Sequence, residues 1–220
     1  MSTAVRHRPI TAAVVTGVAV VVATGCTQTV EDATPTPAAL AAPITALQVV
    51  DLLSPKVLGE DGNLFVTAEP ESCSGLAREV DPPFIDAHHP LATDGGHWTT
   101  ADGAVYVEEM VAVYRFDFDP AAALADARAA IESCRGTQLT VTTMGERTYL
   151  FDVLPPAGGG PQGSVVWSLR AVDWNCDNTF VAAHNAAIEI TACGAAGGFD
   201  VAALAEDALR RIDALANTTA

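Results

Sequence analysis

The 220-residue sequence has no apolar run long enough to cross a bilayer as a helix. Its longest uncharged apolar-rich stretch near the start, Thr11 to Ala23, is thirteen residues, against the roughly 18 or more that a spanning helix needs. A permanent transmembrane span is not expected. Basic residues are scarce: eleven Lys and Arg face twenty-seven Asp and Glu. A surface this acidic repels phosphate backbones and anionic headgroups, so no nucleic-acid partner is expected. There is no C-x-x-C pair, which removes support for a zinc ribbon or a thioredoxin-like redox site. There is no G-x-S-x-G for a serine hydrolase, and no H-R-D, D-F-G or Gly-rich loop with a following lysine for a kinase.

What is present at the start has the layout of a secretory signal. Arg6 and Arg8 precede the Val- and Ala-rich run, and Ala23-Thr24-Gly25 places small residues directly before Cys26. Residues 1–25 are read as a cleaved signal peptide and Cys26 as the lipidated first residue of the mature chain. Without Arg6 and Arg8, nine basic residues remain against twenty-seven acidic ones, a formal charge of −18. Residues 26–43 continue as the lipidated Cys and a small, Pro-containing tether without apolar periodicity. The folded domain is expected over residues 44–220, enough for a single core.

Five cysteines less Cys26 leave Cys73, Cys134, Cys176 and Cys193. An even number in an oxidising compartment points to two disulfides. Residues 177–183 and 186–193 surround His184-Asn185, where Asn tolerates the positive φ of a tight hairpin turn. With those two residues as the loop, Cys176 and Cys193 face each other at the open end of the hairpin, within reach of a disulfide. That leaves Cys73 to pair with Cys134.

Three helices are expected. One over Thr45 to Ser54 places Leu47, Val50 and Leu53 on one face and stops before Pro55. A second has Asp119 as N-cap, Pro120 at its first position, and a stripe of Leu124, Ala127, Ile131 and Cys134 before Gly136. The third starts at Asp200, with Phe199 stapled on Leu204, and buries Val201, Leu204, Ala208, Ile212 and Leu215. Strands lie between. Residues 105–116 read as a central strand, and 137–143 with 147–153 as a hairpin carrying Tyr149, Phe151 and Val153 on one face. Val165, Trp167, Leu169 and Ala171 alternate on the next strand. Strands in series rather than β-α alternation give an α+β fold, a mainly antiparallel sheet packed with helices in a single domain.

Pro70 to Cys73 (PESC), His97-Trp98, the helix from Asp119 to Cys134, Trp174-x-Cys176 and Ala183 to Gly194 (AHNAAIEITACG) together resemble the extracellular sensor domain of PknH-type actinobacterial serine/threonine kinases and of free-standing lipoproteins carrying that domain. The resemblance spans about residues 45–215. It implies an antiparallel sheet packed with helices, two disulfides joined in sequential order, and a cleft for an extracellular ligand. It supplies no catalytic residues. The loop between Asp81 and His97, holding Asp86, His88, His89 and Asp94, is more polar and His-rich than the family suggests.

That loop is the one stretch with metal-ligand character, but adjacent histidines in a Pro-flanked segment point apart, so it is read as a solvated loop and no metal or cofactor is assigned. Ser164 sits where a loop enters a strand, and Gly158 to Gly160 precede a strand rather than a helix, so neither a nucleophile nor a phosphate cradle is assigned. Trp98, Trp167, Trp174, Tyr106 and Tyr114 are candidate cleft walls, with core packing as the default. Arg115 and Arg170 require internal carboxylates such as Glu108 or Glu109. The sequence thus points to a non-enzymatic, lipid-anchored module on the extracytoplasmic face of the cell membrane that binds a small molecule, an envelope component or an envelope protein. The alternatives are a cell-envelope hydrolase or metal-dependent enzyme, and a structural scaffold. Metabolic labelling with a clickable fatty acid checks the anchor: wild type takes up label, Cys26→Ala does not, and an unlabelled wild type rules the anchor out.

Overall fold

The computed structural model describes residues 42–58, 65–78, 82–143, 145–154 and 159–218. The residues read as signal peptide, lipidated Cys26 and most of the tether (1–41) lie outside them. Eight strands form one sheet: β1 (Phe65–Glu69), β2 (Ala92–Thr99), β3 (Val105–Val113), β4 (Gln138–Thr143), β5 (Thr148–Leu154), β6 (Ser164–Arg170), β7 (Asn175–Ala183) and β8 (Ala186–Gly194). Their order across the sheet is β1-β4-β5-β6-β7-β8-β3-β2, and every neighbouring pair is antiparallel. Three α-helices accompany it, α1 (Pro83–Asp86), α2 (Pro120–Ser133) and α3 (Val201–Thr218), with 3-10 helices at Ala46–Leu52 and Glu71–Leu76. The expected α+β fold with a mainly antiparallel sheet is the one found.

Which strands are covered on both faces follows from where the helices pack. Helix α2 lies on β6 and β7 on one face, and α3 lies on β7 and β8 on the other. Two apolar clusters result, one per face: Met110, Ala112, Phe180 and Trp167 under α1 and α2, and Val107, Val111, Val181 and Ile188 under α3. Successive side chains of a strand point to opposite faces, so a strand covered on both is buried along its whole length and mainly apolar. Val107 to Tyr114 and Ala186 to Gly194 are accordingly buried without interruption, whereas β5 alternates, burying Tyr149, Phe151 and Val153.

The hairpin register is the one read from the sequence. Cys176 faces Cys193 and Ala183 faces Ala186, and the first pair is joined, as is Cys73 to Cys134. Beyond Cys193, a Cβ on Gly194 would meet the Ala104 carbonyl at 2.6 Å, so the chain closes there only with glycine. Asp119 caps α2 by accepting from the Ala121 and Ala122 N–H groups, and Gly136, at φ +76°, turns the chain out of it.

Four expectations are corrected. The first helix is 3-10, and of its i, i+3 rows the one through residues 46, 49 and 52 faces inward instead of the one through 47, 50 and 53; Leu52 is fully buried and Leu47 is 92% exposed. The segment read as a loop from Asp81 to His97 contains α1 and the edge strand β2, which its Asp-Gly-Gly composition conceals from any alternation test. Strand β1 is likewise unexpected from the sequence. In the β7–β8 turn it is His184 that adopts φ +51°. Asn185 instead bonds to distant backbone. Its Oδ1 accepts from the Ile44 N–H at 2.9 Å, and its Nδ2 donates to the carbonyls of Ile44 at 2.8 Å and Tyr114 at 2.9 Å.

Asn185 therefore pins the first described segment to the end of β3 through three bonds in a buried site. Asn185→Ala strands two carbonyls and an amide there, and is expected to cost about 2–4 kcal/mol in urea denaturation. A loss under about 1 kcal/mol would refute that role.

Candidate functional site

The residues singled out for chemistry do not gather at one place. Asp86 ends α1, exposed; His88 follows it half-buried, with Nε2 3.8 Å from the Asp126 carboxylate and its ring edge-on to Phe118. His89 is exposed at φ +54°. Asp94 and His97 are on β2, Asp94 accepting from the Gly95 N–H and His97 stacked on Tyr106. No three His, Cys, Asp or Glu side chains converge as a metal would require among the described residues. Ser164 donates its hydroxyl to the Pro161 carbonyl at 2.8 Å, and His184 pairs with Asp213 at 3.0 Å.

The two arginines differ. Arg170 pairs with Asp177 and donates to the Cys176 carbonyl at 2.7 Å, so its carboxylate is on β7 rather than β3. Burial opposes ionisation of Asp177, but the Ser168 hydroxyl, Arg170 and the Phe199 N–H outweigh it and hold the carboxyl below its usual range. The Arg115 guanidinium has no hydrogen bond or ion pair among the described residues, while the Arg115 carbonyl accepts the Phe118 N–H at 3.1 Å. Glu109 is held by Arg211 instead, at 2.8 Å, and accepts the Ser54 N–H at 3.0 Å. Burial still leaves its carboxyl above the usual range, against Arg211, Ser54 and Trp98.

Of the tryptophans, Trp167 is core: fully buried, it donates to the Leu76 carbonyl at 2.9 Å and meets Phe84 edge-on. Trp174 is half-buried beside Tyr149. Trp98 is different. It forms the floor of a cavity of about 460 Å³, with Lys56, Leu58, Thr99, Thr100, Ala101 and Phe199 around it, and the Lys56 ammonium lies 4.6 Å from its ring centroid. That volume is within the usual range for small-ligand sites. The lining is apolar except for one cation and two hydroxyls.

The Glu109 network positions this cavity. Arg211 reaches from α3 to Glu109 on β3 and donates through Nε to the Leu52 carbonyl at 2.8 Å. Ser54, bound to the same carboxylate, accepts the Lys56 N–H at 3.3 Å through its hydroxyl. Leu58 then donates to the His97 carbonyl at 3.1 Å, laying the 54–58 segment along β2. Lys56 and Phe199 are cavity residues that the sequence does not disclose. Lys56 is the sole lysine of the chain, and an isolated cation was the one available signal; that it meets Trp98 depends on a 42-residue separation no local pattern spans.

At the opposite end of the same strands lies a second concavity. Tyr114 and Arg115 are common to a pocket of about 360 Å³ with His88, His89 and Phe118, and to a groove of about 450 Å³ with Pro43, Ile44, Leu91 and Phe116. Tyr114 stacks on Phe118 at 4.0 Å and donates its hydroxyl to the Ile85 carbonyl.

A family model described as the PknH-like extracellular domain matches residues 27–211. Among solved structures, the extracellular domain of PknH from Mycobacterium tuberculosis is 16% identical and superposes with a TM-score of 0.59, covering 80% of this chain and 98% of that one. At that identity the likeness concerns the fold. CalU16 from Micromonospora echinospora is 12% identical at a TM-score of 0.28, covering 57% of this chain and 87% of that one, too low for any structural relation to follow. No curated protein sequence matches.

One further acid lies outside both concavities. Glu189, on β8 between Met110 and Phe180, is buried with Oε2 unpartnered, and burial, reinforced by Asp86, pushes its carboxyl well above the usual range. A folded-state proton held more tightly than in the unfolded chain stabilises fully below the unfolded pKa, and the benefit is lost as pH rises toward the folded value. Glu189→Gln removes the loss. Relative to the variant, wild type is expected to lose about 1.4 kcal/mol per pH unit above the ordinary glutamate pKa for as long as the folded acid stays protonated. Urea midpoints of both proteins from mildly acidic to mildly alkaline pH check it, and parallel curves would refute it.

Proposed function

The chain belongs to the PknH-like extracellular domain family, and from that membership we propose a lipid-anchored, extracytoplasmic binding module that performs no chemistry on what it binds. The observation that carries the proposal is the Trp98 cavity. An indole floor with Leu58 and Phe199 beside it suits an apolar body, and the Lys56 ammonium suits an acidic group at one end of that body. The ligand class is a small amphiphile with one negative charge. On a chain with so few cations, placing the single lysine over an aromatic face favours such a ligand where the surface as a whole repels it.

No described helix is long and apolar enough to cross a membrane. Anchorage is assigned to acylated Cys26, and residues 27–43 to a tether. The alternatives, a hydrolase or metal-dependent enzyme and a structural scaffold, have no comparable arrangement behind them among the described residues: His88 and His184 face Asp126 and Asp213, and the Ser164 hydroxyl is directed at Pro161.

Native mass spectrometry of protein purified from its own membrane tests ligand binding. Wild type is expected to retain an anionic mass that Ala101→Trp, which fills the cavity mouth from a turn, fails to retain while melting at the same temperature. Retention by both proteins moves the ligand elsewhere, and retention by neither removes the cavity from consideration.

A further inference from the structure

The groove at the far end of β2 and β3 has a composition the Trp98 cavity lacks. Phe116 is 79% exposed and Leu91 57% exposed, and both line it. Ala46 lines it too, and the next residue, Leu47, stands 92% exposed. Arg115, between Tyr114 and Phe116, is an exposed cation with no partner among the described residues. Two large, exposed apolar side chains and a free guanidinium around one opening form a surface that water solvates poorly.

Where the chain enters the domain decides what covers it. Ala42 and Pro43, the first described residues, form the rim of this opening together with Phe116. Cys26 lies seventeen residues before Pro43, a distance of at most about 60 Å when extended and about 20–25 Å as a coil. A chain anchored at Cys26 thus enters the domain at this end and holds it nearest the lipid when the tether is coiled. Tethering raises the effective concentration of the surface enough for a weak contact to be occupied. Net charge cannot drive that contact, because Asp117 and Asp119 line the adjoining pocket and the mature chain is strongly acidic. Apolar insertion can.

We propose that the Phe116 groove is the membrane-facing surface of the domain: Phe116 and Leu91 enter the lipid interface, and Arg115 meets a headgroup phosphate. The inference rests on the lipid-anchored module proposed above. Its consequence is an orientation. Residues 92–99 of β2 run from the groove to the Trp98 cavity, about 25 Å at the usual rise of a strand. The cavity therefore opens away from the bilayer.

With both disulfides formed and Cys26 acylated, a single introduced cysteine is the only free thiol, so Phe116→Cys, Leu91→Cys and Leu150→Cys can each carry an environment-sensitive fluorophore. Leu150 is 54% exposed on β5, away from the groove. The full lipidated chain is floated with vesicles of phosphatidylcholine containing a minor phosphatidylglycerol fraction. Labels at 116 and 91 are expected to be quenched by doxyl-labelled lipid several-fold more than the label at 150. A chain that floats with all three labels equally open to aqueous iodide overturns the orientation and leaves the anchor standing. Labels at 116 and 91 shielded from iodide but untouched by doxyl lipid also overturn it, and assign the groove to a small molecule or a second copy. A chain that does not float overturns both the anchor and this inference.

Discussion

A carboxylate buried in the middle of a sheet face must be paired, because an ion left alone in an apolar interior costs several kcal/mol. Glu109 is that carboxylate, and its partners come from two distant parts of the chain: the Ser54 amide in the opening segment and Arg211 of α3, which also donates to the Leu52 carbonyl. Arg211 is further held by Asp207, whose carboxyl stays below its usual range because Arg210 and Arg211 outweigh its partial burial. One ion cluster thereby ties the opening 3-10 segment and the closing helix to the central strand β3. It also sets Lys56 over Trp98, since Ser54 binds Glu109 through its N–H and receives the Lys56 N–H through its hydroxyl.

The layer arrangement gives the two ends of the sheet separate roles. Helices on both faces cover the interior strands, and the concavities described above lie where strands end and segments cross them. At one end, the β2–β3 turn and the 54–58 segment enclose the Trp98 cavity. At the other, the entry of the chain at Pro43, the β7–β8 turn and the Arg115-Phe116 stretch surround the groove. Asn185 fixes that second end as firmly as Glu109 fixes the first, and both are single buried polar side chains bonded to backbone from distant segments.

Features with a period, a cap or a facing partner at fixed spacing were legible in the amino-acid order. The two long helices, the continuous burial of β3, the 138–154 hairpin and the Cys176–Cys193 pairing all follow from local rules, since a two-residue loop sets the register of everything beyond it. Edge strands β1 and β2 escaped because an edge needs little apolar alternation, and Asp94-Gly95-Gly96 shows none. The first helix was found but its buried face misjudged, because the rows 46-49-52 and 47-50-53 are both apolar at the same spacing, and only packing against the sheet selects between them. Which polar residues meet came from the folded arrangement of the sheet: Glu109 with Arg211, Arg170 with Asp177, Asn185 with Ile44, Lys56 with Trp98. Hydrogen bonds and ion pairs carry no period along a chain, so their partners become known only when the strand order brings distant residues together.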